Sequence, residues 1–83
     1  MAHLRPLYTI AYDIHRQWKK PNFGAIPYLD AMFRLTCTQD YYFSDRGDHI
    51  VRYFLANATN FKGDVAQELK EELKEHLKAH GGA

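Results

Sequence analysis

What this chain has little of narrows its class first. One cysteine, Cys37, stands among 83 residues, so no disulfide can form within them and a bridge-stapled small scaffold is excluded. No apolar run approaches the roughly 20 residues that a membrane-spanning helix needs. The opening stretch is broken by His3, Arg5, Pro6 and Asp13, so it does not make the apolar segment of a signal peptide. These absences lead us to expect a protein of the cytoplasm. Charge of one sign is missing too. Eleven Lys and Arg against ten Asp and Glu give a formal charge of +1, which speaks against a general polyanion binder but not against a local basic patch. Nor is there a G-x-S-x-G turn, a phosphate-cradling glycine loop, or a pair of carboxylates in a distinctive setting. A chain this small also frames a deep pocket with difficulty. We expect no enzyme and no cofactor.

What is present is apolar and aromatic: 46% hydrophobic residues and 14% aromatic ones. A domain of this size buries only about 60–65% of its unfolded surface, and large rings help to fill so small a core. No repeat or low-complexity linker divides the sequence, so residues 1–83 read as one domain, frayed over 80–83.

Helical spacing recurs four times. The segment "LRPLYTIAYDIHRQWKK" places Leu4, Leu7, Tyr8, Ala11, Ile14 and Trp18 on one stripe, with Pro6 tolerated in a first turn and Pro21 as the stop. Past the turn residues of "PNFGA", Pro27 opens a second helix, "PYLDAMFRLTC". Its inner face is Leu29, Met32 and Phe33, and it is apolar nearly all round, so it reads as the central helix. "TCTQDYYFS" has no helical period and reads as a loop or short extended piece whose aromatics fold back over the core. Ser44 or Asp45 then caps a third helix carrying Ile50, Val51, Phe54, Leu55 and Ala58. After the breakers of "NATNFKGD", a last helix aligns Val65, Ala66, Leu69, Leu73 and Leu77, with Glu71–Lys74 and Glu75–Lys78 as surface pairs. With no convincing strand pair, the expected fold is all-α: a compact bundle of about four helices, with an aromatic-rich loop between the second and third.

Candidate chemistry is sparse. His76 and His80 in "HLKAH" lie four apart on one helical face, the spacing at which two imidazoles can share a metal. The zincin helix has a glutamate next to its first histidine, where this chain has Leu77, and no third ligand is evident. A histidine late in a helix also suits the dipole without any metal, so no metal is assigned. Cys37 reads as a small apolar residue. "RGD" at 46–48 and the sequon "NAT" at 57–59 have meaning only outside a cell. Two surface patches are left. Tyr41, Tyr42, Arg46, His49 and Arg52, around "YYFSDRGDHIVR", suit a protein partner. Arg16, Trp18, Lys19 and Lys20, within residues 15–23, set cations around a ring as single-strand nucleic-acid binding does.

At "FGAIPYLDAM" and "HIVRYFLANATNFKGDVAQELKEEL" the chain resembles small proteins of phages, plasmids and other mobile elements, over most of residues 3–78. The resemblance implies an accessory protein of a mobile element, in the cytoplasm of its bacterial host, that acts by binding a host protein. Inhibition of a defence nuclease complex, anti-CRISPR function among such roles, falls within that range. The alternative expectation is a small nucleic-acid-binding regulator using the basic patch. Monomer and homodimer are both compatible with the sequence.

Overall fold

The computed structural model describes residues 4–79. In chain order the elements are α1 (Leu7–Gln17), a 3-10 turn (Phe23–Ala25), α2 (Ile26–Met32), β1 (Tyr41–Tyr42), β2 (Asp45–Arg46), α3 (Gly47–Ala56) and α4 (Asp64–Ala79). α1 packs against both α4 and α2, α2 against α3, and α3 against α4, closing a ring of four helices. The radius of gyration is 11.5 Å, close to the roughly 12 Å expected of a compact chain this long.

The helical expectation holds with one correction. β1 and β2 pair antiparallel, Tyr41 opposite Arg46 and Tyr42 opposite Asp45, through a two-residue turn at Phe43 and Ser44. The fold is therefore mostly helical with a small hairpin, not all-α. A two-residue strand leaves no periodicity to detect, and only the β-favouring tyrosines hint at it.

α2 is also shorter than its apolar run, ending at Met32 rather than near Cys37. Beyond it, the amides of Phe33, Arg34 and Leu35 donate three residues back, to the carbonyls of Asp30, Ala31 and Met32, which tightens the chain into a 3-10 turn. That frees the next carbonyls for another helix. Leu7 N–H donates to Thr36 O at 2.9 Å and Tyr8 N–H to Leu35 O at 3.0 Å. Pro6 precedes α1 and supplies no side-chain cap, so backbone carbonyls from the end of α2 satisfy the first amides of α1.

α3 is started in the same way. Neither Ser44 nor Asp45 caps it, and Arg46 holds the N-cap position without a side-chain bond. Instead Gly47 N–H donates to Asp40 O (2.7 Å) and Asp48 N–H to Thr38 O (3.1 Å).

The core runs through Leu7, Ile10, Ala11 and Ile14 of α1, Leu29 and Met32 of α2, Ile50, Val51 and Phe54 of α3, and Ala66, Leu69 and Leu73 of α4. Three residues expected inside, Tyr8, Phe33 and Val65, are exposed, while Ile10, Phe61 and His76 lie inside. In α4 the buried set is Ala66, Leu69, Leu73 and His76, with Leu77 half-buried, so His76 occupies an inward position on the stripe.

Arg5 ties the ring of helices together before α1 begins. Its Nε and Nη2 donate to the two carboxylate oxygens of Glu72, each at 2.7 Å, and its Nη1 to Asp13 at 2.8 Å. A two-pronged guanidinium–carboxylate pair is the stronger kind of surface ion pair. The hydrogen bond that Arg5 gives Glu72, then the one it gives Asp13, raises the guanidinium above its ordinary value. The Arg5 carbonyl accepts from His76 Nε2 at 2.6 Å, so one residue binds α1 and α4 by side chain and by backbone.

Candidate interaction surfaces

The region between α2 and α3 is a platform for the hairpin. Asp40 folds its carboxylate back to accept from the amides of Thr36 (2.8 Å) and Cys37 (3.2 Å), closing the loop on itself. Thr38 is buried, and its hydroxyl lies 3.5 Å from the carbonyl of His76 on α4. Gly47 presses directly on this loop: a Cβ there would stand 2.8 Å from Cys37 O and 2.9 Å from Thr38 Cα. Only glycine allows that approach.

On this support the hairpin presents Phe43 outward. Phe43 has φ +58°, in the left-handed half of backbone space that a bulky residue avoids. It is the first residue of the two-residue turn, a place where the favoured hairpin turns take glycine or asparagine. Its ring is 87% exposed and meets the edge of Tyr42 at 4.7 Å between centroids. Tyr42 is half-buried against the core, and Tyr41 is 63% exposed. The expectation that these aromatics all fold back over the core is thus met by Tyr42 alone.

The five residues singled out for a partner lie on adjoining elements: Tyr41 and Tyr42 on β1, Arg46 on β2, His49 and Arg52 on α3. Arg46 sits 3.4 Å from Asp48, and His49 and Arg52 are exposed. Further along α3, exposed Tyr53 stacks obliquely on Tyr28 of α2 at 5.5 Å.

The basic candidate patch divides. Arg16, Lys19 and Lys20 are exposed at and beyond the end of α1. Trp18 is not available with them. It is 6% exposed, stacked on Phe61 at 5.0 Å and edge-on to Phe54 at 5.9 Å, so its indole belongs to the core. The ring beside the cations is Tyr12, whose centroid lies 5.8 Å from the Arg16 guanidinium carbon.

No family model, no curated protein and no solved structure matches this chain.

Of the histidine pair, His80 lies outside the described residues. His76 is buried, and because a carbonyl oxygen can only accept, its Nε2 carries the proton given to Arg5 O. That nitrogen is committed to fixing α4 against the start of α1. Among the described residues no cluster of three His, Cys, Asp or Glu has metal-binding geometry. No helix among them is long and apolar enough to cross a membrane.

Sequence reasoning missed Phe43, Tyr12 and Phe23 as surface residues. Phe23 leads the 3-10 turn with its ring 87% exposed. The spacing of Tyr12, one residue past Ala11 and two before Ile14, places it off the apolar stripe of α1 and was a legible signal. For Phe43 no signal existed, because phenylalanine is the wrong residue for the turn it makes.

Proposed function

We propose that this chain is a protein-binding accessory protein of a mobile element, which docks on a host protein through the hairpin tip and the start of α3. The observation that carries the reading is Phe43, a large ring exposed from a backbone conformation that opposes it. Strained, over-determined residues gather at binding sites, and exposed aromatics anchored on rigid supports are typical of hot spots in interfaces. Tyr41, Arg46, His49 and Arg52 flank the tip and supply the rim. The resemblance to mobile-element proteins supports a host target, and inhibition of a defence nuclease complex is the role we assign within that class.

Full-length chain immobilised on beads and exposed to host lysate retains a discrete protein, and a Tyr41→Ala, Phe43→Ala double variant, folded by circular dichroism, loses it. Retention of the same protein by the double variant would overturn the assignment of the surface. For the defence role, expression of the chain restores plasmid or phage entry into a strain with an active defence nuclease. Undiminished nuclease protection at full expression rules that role out while leaving the binding result standing.

A further inference from the structure

A second surface, on the outer side of α1 and α2, has a different chemistry. Along α1 the exposed residues Tyr8, Tyr12, His15 and Arg16 follow one another at spacings of four, three and one, which places them on one side of a helix whose other side is core. α2 joins them: the His15 ring meets Phe33 edge-on at 6.0 Å between centroids. The hydrogen bond from Tyr8 N–H to Leu35 O holds the start of α1 beside the end of α2. Phe33 and Arg34 are exposed at that end.

The charges on this side are more cationic than anionic. Arg16 lies by the Tyr12 ring, Arg34 adjoins Phe33, and exposed Lys19 lies two residues past the end of α1. Asp13, the one carboxylate of α1, is held instead by Arg5, at 2.8 Å. Asp30, one turn before Phe33, is the carboxylate that α2 carries. Arg16 and Arg34 stand among the rings, with Lys19 just past the end of α1, and together they outnumber Asp30.

We propose that this face of α1 and α2 binds single-stranded nucleic acid without sequence preference. Rings give stacking surfaces that accept any base, and the interspersed cations follow the phosphates. Arg16 beside Tyr12 can serve both, as a flat cation that stacks and pairs with phosphate. Bases in a duplex hide their faces, so the rings select the single strand. The face is independent of the hairpin tip, and its failure leaves the protein-binding reading untouched.

The test is fluorescence anisotropy of a labelled mixed-sequence 20-nucleotide DNA strand titrated with the full chain. Binding is expected at micromolar protein in 50 mM salt. Three neutralised phosphates give a slope of about −2 in log K against log salt, or a loss of about 20-fold between 50 and 200 mM. Tyr12→Ala weakens binding about tenfold or more, as the loss of one stacked base would, and Arg16→Glu abolishes it. Phe43→Ala leaves it unchanged. The variants concern exposed side chains, and an unchanged melting temperature shows that each is folded. The duplex of the same sequence binds at least tenfold more weakly. Absence of a complex at high micromolar protein in 50 mM salt overturns the proposal. So does binding that Tyr12→Ala leaves intact, or displacement of the strand by polyglutamate at equal charge, which would identify a site for acidic protein segments.

Discussion

Replacing Phe43 by asparagine should stabilise the free protein while removing its partner. Asparagine tolerates positive φ far better than a bulky residue does. The left-handed conformation costs an ordinary residue about 1–2 kcal/mol. Against its release stands the edge contact between Phe43 and Tyr42. Such a pair contributes about 0.5–1.5 kcal/mol when well packed, and here the low end applies because the ring is 87% exposed. The net gain is about 0.5–1.5 kcal/mol, which for a domain of this size raises the melting temperature by about 2–12 °C. Trp18, the single tryptophan, is buried against Phe61 and reports unfolding directly. Urea titration followed by its fluorescence and by far-ultraviolet circular dichroism should give a higher midpoint at unchanged slope. Tyr41→Asn, two residues before Phe43 and outside the positive-φ region, should lower it. A Phe43→Asn protein less stable than the parent by about 0.5 kcal/mol or more would refute the account of the turn.

Gly47→Ala should destabilise by about 1–3 kcal/mol, because the added methyl meets backbone at 2.8 and 2.9 Å and backbone cannot rotate aside; a midpoint equal to the parent's would contradict the close approach. An Arg5→Ala, Glu72→Ala double-mutant cycle should give a coupling of about 0.5–1 kcal/mol, since both side chains remain about a third exposed. The coupling should shrink in 1 M salt, and a salt-independent value would mean that packing rather than charge joins them. Lys70 is shifted below its ordinary value of 10.5, first by burial and then by Lys74 and Lys62. The unfolded chain therefore holds that proton to higher pH than the folded one. Stability should rise as pH climbs through the alkaline range up to about 10.5, and Lys70→Met should abolish that rise. A rise that persists in Lys70→Met would assign it to another group.

Helix existence was legible because α1, α3 and α4 each bury one side, and burial on one side imposes a period on the sequence. Helix ends were less so. α2 stops at Met32 although apolar residues run on, because its following carbonyls are needed by Leu7 and Tyr8, and no local pattern announces a bond to residues 27 and 29 positions away. The same distance effect explains His76. Its spacing from Leu69 and Leu73 fits the buried stripe, but the reason a histidine belongs there is the carbonyl of Arg5, at the other end of the chain. Trp18 shows a different limit. A ring among cations reads equally as core or as stacking surface until Phe61 is known to lie on its face. Of the candidate surface residues, Tyr41, Arg46, His49 and Arg52 are on the outside, and His49 and Arg52 were legible because they fall between the apolar positions of α3.

The strain and the exposure at Phe43 belong to one argument. Glycine or asparagine would make the same turn at lower free energy, and an exposed ring adds little to the core, so a folding account leaves both features without a cause. A binding account uses both. Asp40, Thr38 and Gly47 fix the hairpin in the free protein, so the proposed docking would order little beyond two side-chain torsions of the ring. Full burial of the ring in a partner's pocket is worth about 1.5–3 kcal/mol, more than the roughly 1–2 kcal/mol held in the backbone. The difference in sign between the free and bound states is the reason a single substitution, Phe43→Asn, should move stability and affinity in opposite directions.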